Sequence, residues 1–230
     1  MRPDFAHTDL SPLKRGDIRF LLERFPAPAG NYEAIARQLD GLPDTLENML
    51  RSTWVTEAVL NRQQLLLDVS PFLLFSVLLR LVLPDHRGTA ERRVLNYMAN
   101  LLALFARGDR LWRVSPGDKE THAYLVELMA AAAEEPDPKR RFAIHAHIGN
   151  HTLFITGLFP GWLAHRHRFG RRPVSPSWYL DAGSGHYGEA ARQSPARNLG
   201  LDDVLLRLAM RFEHYRDALE RMGSTYLAMS

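Results

Sequence analysis

His147 and His151 stand one helical turn apart. Two imidazoles at i and i+4 can approach one metal ion from a single helix. On a helical wheel of residues 142–159, Ile144, Ile148, Ile155, Leu158 and Phe159 gather on one side. His147, His151 and Phe154 lie at the edge of that stripe, so both imidazoles are expected to point inward. His145, Thr152 and Thr156 fall on the opposite, polar face, and His145 is expected to point to solvent. A metal site needs a further ligand, and His186, Asp181, Glu189 and His214 in later segments are the candidates. Neither the HExxH pattern nor a Glu-x-x-His pair of the di-iron type is present. Inward histidine pairs are more often hydrogen-bonded core residues than ligands. The leading expectation is therefore no cofactor, and the alternative is a divalent metal on His147, His151 and His186. In that alternative Asn150, Tyr179, Asp181 and Tyr187 supply the supporting polar groups of a ligand site.

The same region is chemically one-sided. Between Asp137 and Asp181 there is no acidic residue, while Lys139, Arg140, Arg141, Arg166, Arg168, Arg171 and Arg172 all fall there. Five of the ten histidines fall there too: His145, His147, His151, His165 and His167. Such a face can bind an anion, and Arg166, Arg168, Arg171 and Arg172 are the anion-binding candidates. Pairing with acids elsewhere, such as Glu134, Glu135 and Glu213, is the plainer reading. The net charge of +3 is small for a dedicated nucleic-acid binder, and Trp54, Trp112, Trp162 and Trp178 are too dispersed to form a base-stacking platform.

Three other patterns invite chemistry and lack its context. Gly183, Gly185 and Gly188 match G-x-G-x-x-G, but a dinucleotide site also needs strands and further βαβ units. A helical reading puts Leu180, Gly183, Tyr187, Ala190 and Ala191 on one stripe. Each helical glycine costs about 1 kcal/mol relative to alanine. Close packing on the 142–158 helix, a ligand against bare backbone, or a local helix break would account for them. Ser184 lacks the flanking glycines of a nucleophile elbow, because Ala182 and His186 occupy those places. His214 and Asp217, at i and i+3, could act as a base and its orienter, although such pairs are usually surface contacts.

The elements that must position these residues read as helices almost throughout. The 230-residue chain has 46% hydrophobic and 24% charged residues and no cysteine. That excludes disulfides, thiolate metal sites and a cysteine nucleophile, and it fits a reducing cytoplasm. No signal-peptide pattern opens the sequence. The apolar run Phe72–Leu83 contains Arg80 and falls short of the roughly 20 residues of a membrane span, so it reads as a core helix. Helices are expected over 17–25, from Asn31 to Gly41, 44–68 (one or two), 71–83, 89–106, 119–134, 137–158, 160–169, 175–192 and 202–222. Ser70, Thr89, Asp137 and Ser175 are placed at starts, and Gly108 at a stop. Residues 110–114 could be extended or half of a small hairpin. The expected fold is all-α: a single domain over 1–230, with nine or ten helices around central apolar ones.

The segments GNHTLFITGLFP (149–160) and WYLDAGSGHYGEAA (178–191) resemble a group of functionally uncharacterised all-helical bacterial proteins. Those carry a GNxxLFxxGLFP helix followed by a YxxxGxxxY helix. The matching residues are Gly149, Asn150, Leu153, Phe154, Gly157, Leu158, Phe159 and Pro160, then Tyr179, Gly183 and Tyr187. The resemblance covers about 45 residues, implies that the two segments form a paired structural unit, and brings no activity. The expected function is that of a cytoplasmic binding protein with its working surface in residues 145–187 and a protein or small molecule as partner. Nucleic acid is not expected, and a homodimer is compatible with the sequence.

Overall fold

Three of the helix starts are built from the same two-residue device. A computed structural model describes residues 2–24, 43–61, 69–119, 124–169 and 175–227. In it Ser70, Asp137 and Ser175 each cap a helix whose first residue is proline. Their side chains accept from the backbone N–H of Leu73 at 3.2 Å, of Lys139 and Arg140 at 3.2 and 3.1 Å, and of Trp178 at 3.2 Å. Proline loses nothing at that position, where its missing N–H would have had no helical partner.

Twelve α-helices lie within the described residues: α1 (Arg15–Arg24), α2 (Pro43–Leu50), α3 (Thr53–Leu60), α4 (Pro71–Val82), α5 (Thr89–Phe105), α6 (Leu125–Glu134), α7 (Pro138–Leu158), α8 (Pro160–Phe169), α9 (Pro176–Arg192), α10 (Ser194–Asn198), α11 (Asp202–Met210) and α12 (Phe212–Met222). The architecture is all-α, and no strand occurs among the described residues. Residues 110–114 form no hairpin half, because Asp109–Leu111 is a 3-10 turn. Its Arg110 is drawn inward by both carboxylate oxygens of Asp4 at 2.8 Å. Gly108 closes α5 at φ 75°, as its place in the sequence suggests. The cap of α5 is Gly88 rather than Thr89. The expected single helix over 202–222 breaks at Arg211 (φ −122°, ψ 32°). The expected helix from Asn31 to Gly41 lies outside the described residues.

The buried apolar side chains fall into two clusters that α4 joins. Leu73 and Val77 belong to a smaller one with α1, α2 and α3, while Phe72, Phe75, Leu78 and Leu79 belong to the larger one. The arginine inside this apolar helix is neutralised in place. Arg80, 3% exposed, donates to both carboxylate oxygens of Glu47 at 3.0 and 2.5 Å, to Asn96 Oδ1 at 2.9 Å and to the Ser76 carbonyl at 2.9 Å. Burial pushes the Glu47 carboxyl up, but Arg80 and Arg51 outweigh it and hold the group below the usual carboxylate range. No helix among the described residues is long and apolar enough to cross a membrane.

α7 is the axle of the larger cluster. It packs most extensively on α9, then on α12 and α6. Its glycines permit the closest approaches. A Cβ on Gly149 would lie 2.6 Å from the Tyr187 ring, and one on Gly157 would lie 2.6 Å from Leu219 Cβ. On α9 a Cβ at Gly183 would lie 2.4 Å from the Phe212 ring. The G-x-G-x-x-G match is thus part of one unbroken helix, and Gly183 serves packing. A Cβ at Gly185 would meet open space, so packing gives no reason for that glycine.

Candidate functional site

The 3.6-residue period decides which sequence candidates can meet. Residues 145, 149 and 152 of α7 face α9, whereas 147, 151 and 154 face the other way, toward α5 and the turn that follows it. His147 is buried with its ring edge-on to Phe105 at 5.6 Å, and His151 lies 5.9 Å from Trp112. His186 lies on the α9 side, and its partner there is His145, Nδ1 to Nδ1 at 2.8 Å. The three histidines proposed as one metal set therefore occupy opposite faces of α7 and do not converge. His145, expected in solvent, is instead partly buried. Among the described residues no group of three His, Asp or Glu side chains is placed to hold a metal ion.

The polar candidates also separate. Asn150 and Tyr187 are core residues: Asn150 Oδ1 accepts from the hydroxyls of Tyr187 and of Tyr97, each at 2.8 Å. Burial pushes both phenols well above their ordinary range, so they remain neutral donors. This network ties α5, α7 and α9 together, and its Asn150 oxygen is already committed. Tyr97 gave no signal in the sequence, because nothing in an apolar helix marks which tyrosine will meet a buried amide. Tyr179 is buried edge-on to Trp178 at 5.3 Å.

Asp181 is exposed at the rim of a cleft of about 450 Å³, where α9 faces the break between α11 and α12. Ser184, Met210, Arg211, Phe212 and His214 line it as well. The Ser184 hydroxyl donates to the Ala209 carbonyl at 3.0 Å, a tie to the end of α11 rather than a nucleophile's setting. The base–orienter pair is not formed. Asp217 lies 2.7 Å from Arg216, and His214 stacks on His86 with ring centroids 5.3 Å apart and planes 15° apart.

The basic window resolves into two groups. Arg140 is neutralised by Asp118 at 2.9 Å, and Arg141 donates to the Glu135 carbonyl at 3.2 Å. On α8 the arginines lie over rings instead. Arg166 is 5.1 Å from the Trp162 ring centroid and 5.6 Å from that of Tyr124, and Arg168 is 5.4 Å from that of Phe169. Among the described residues neither meets a carboxylate. Arg171 and Arg172 lie outside the described residues. α8 buries Leu163 and leaves Trp162 47% and Phe169 66% exposed.

His151 joins this surface to the interior. Its Nδ1 is buried with no hydrogen-bond partner among the described residues. Burial, and then the charge of Arg166, push the imidazole down to about 4. Trp112, His151, Arg166, Trp162 and Tyr124 thus form one connected aromatic and cationic surface, drawn from three separate stretches of chain. Of the four tryptophans only Trp112 and Trp162 border this surface, while Trp178 lies against Tyr179.

No family model matches the chain, and no curated protein or solved structure is significantly similar to it.

Proposed function

We propose that the chain is a cytoplasmic binding protein that docks an acidic protein surface onto α8 and its neighbours Tyr124, Trp112 and His151. One observation carries this reading: α8 keeps Trp162 and Phe169 in solvent and holds Arg166 between Trp162 and Tyr124. Tryptophan, tyrosine and arginine dominate the energetic centres of protein interfaces. An arginine over aromatic rings remains charged yet already partly desolvated, ready for a carboxylate. The absence of acid from Asp137 to Asp181 makes the complementary surface an acidic one. Binding should weaken as salt rises.

The test is affinity capture with the immobilised chain, alongside a Trp162→Ala/Arg166→Glu variant. A protein that crosslinks to a photoreactive residue at position 169, is released by salt and is lost in the variant supports the reading. Equal capture by both chains overturns it, and so does a partner that crosslinks elsewhere.

A second reading, small-molecule binding, is favoured by the cleft between α9 and the α11–α12 break. Its volume of about 450 Å³ falls in the usual range for ligand sites. A compound that raises the melting temperature of the wild type but not of Ser184→Trp supports this use. Equal shifts in both place the ligand elsewhere.

A further inference from the structure

We propose that the Nδ1 atoms of His145 and His186 form a two-histidine site for a divalent ion of the nickel, copper and zinc group, linking α7 to α9. The site lies on the face of α7 opposite His151, so it is independent of the docking surface on α8.

The seam between the two helices creates it. Gly149 leaves room for the Tyr187 ring, and Gly183 leaves room for Phe212 and Thr152, so the helices approach closely. One turn before Gly149, the same seam brings His145 against His186. The ring centroids are 4.9 Å apart, the planes differ by 32°, and the two Nδ1 atoms are 2.8 Å apart. Two adjacent ligands at right angles on a metal, each about 2.0–2.1 Å from it, stand about 2.9 Å from one another. The pair therefore already has the spacing of neighbouring ligands.

Without metal, one Nδ1 must carry a proton and the other must accept it. Moving that proton to Nε2 turns both Nδ1 atoms into lone-pair donors, with no net proton loss. Burial favours the neutral rings that ligation requires.

The charged groups at the pair are few. Glu189, one turn along α9 from His186, acts favourably on the charged form of both rings, while Arg141 on α7 opposes it at His145. Glu189 is exposed and 54% of its side chain remains open while it pairs with Arg192, so it can swing toward a bound cation. Among the described residues no third ligand is in place, so the remaining positions are assigned to water. The site is accordingly open and exchangeable, with affinity rising from nickel to copper.

Calorimetric titration of the untagged full chain with Cu²⁺, together with paramagnetic resonance, tests this. The expected result is one ion per chain with hyperfine structure from two nitrogens. His145→Gln and His186→Gln should each abolish that binding, and Glu189→Gln should weaken it by about tenfold. The double variants His147→Gln/His151→Gln and His165→Ala/His167→Ala should bind as the wild type does. Ni²⁺ should raise the melting temperature of the wild type and not of the two single histidine variants. Unchanged binding in His186→Gln overturns the proposal. Loss only in His165→Ala/His167→Ala also overturns it, as does no uptake at about 100 μM free ion. Should His145→Gln fail to fold, His186→Gln and the two-nitrogen signature of the wild type decide.

Discussion

α7 and α8 are separated by one residue and end up in opposite surroundings. α7 buries fourteen of its twenty-one residues, on every side, while α8 buries one of ten. Neither has a sharp apolar stripe. What separates them is the kind of residue on the remaining faces. α7 fills those faces with Gly149, Thr152, Thr156 and Gly157, small groups that let α9 and α12 approach. Two of its buried polar groups are satisfied within the core: Thr156 donates to the Thr152 carbonyl at 2.7 Å, and Asn150 Oδ1 accepts from the Tyr97 and Tyr187 hydroxyls. α8 places Trp162, His165, Arg166, His167 and Arg168 in the same positions, and no neighbour could bury those charges without partners. Adjacent helices thus become an interior axle and a display surface.

The largest expected break in that contrast is at Asn150. Asn150→Ala leaves the Tyr97 and Tyr187 hydroxyls buried without their acceptor, at a cost of about 1–3 kcal/mol each. A loss of about 2–4 kcal/mol in chemical denaturation is expected. A loss under 1 kcal/mol would mean that the network does not hold the axle.

Paired glycine substitutions sharpen the comparison. Gly149→Ala drives a methyl into the Tyr187 ring and should cost about 1–3 kcal/mol. Gly161→Ala in α8 meets nothing within 4 Å and should stabilise by up to about 1 kcal/mol. Equal effects at the two sites would contradict the difference in packing.

Much of this fold was legible from local signals. Ser-Pro and Asp-Pro pairs marked three helix starts, because capping and the proline ring act within one turn. The inward direction of His147 followed from periodicity, which also put Gly183 on the helical stripe; its use in packing was one of three readings left open, and the contacts with Phe212 and Thr152 select it. The split at Arg211 was not legible, since 202–222 is amphipathic throughout and contains no proline or glycine, whereas in the fold α11 packs mainly on α9 and α5 and α12 mainly on α7 and α4. The site was legible in part. The window 145–187 does contain the exposed cationic helix, but Tyr124 and Trp112 come from outside it. The wheel separated His145 from His147 correctly and then assigned the wrong environment, because one helix cannot reveal that α9 covers its polar face. His186 was grouped with His147 and His151 for the same reason.

Acid should act on the boundary between the two helices. His151 titrates near 4 in the folded chain and near 6.5 when unfolded. The unfolded chain therefore binds more protons below about pH 6.5, and its stabilisation of the fold is complete above that value. It is lost progressively as pH falls toward 4. The stacked His86 and His214 are also lowered, by burial first and then, for His86, by His214 and Arg211 and, for His214, by Arg211 and Arg221, so they act in the same direction. From pH 7 to 5, the wild type should lose about 1–2 kcal/mol more than His151→Gln, after allowance for partial exposure. Parallel stability profiles for the two chains would show that His151 does not couple to folding.

The smallest effect on stability is expected at Trp162, and there the contrast is most informative. A buried tryptophan truncated to alanine typically costs about 3–5 kcal/mol. Trp162 is 47% exposed and contacts Arg166 rather than the core. Trp162→Ala should therefore change the folding free energy by less than about 0.5 kcal/mol. Near-ultraviolet circular dichroism should lose only the indole contribution. If the variant instead loses several kcal/mol, Trp162 is part of the core, α8 is a structural helix, and the docking surface disappears with it. If stability holds, a large, poorly hydrated indole is being kept in water at no benefit to the fold. The indole is then free to serve the proposed docking surface.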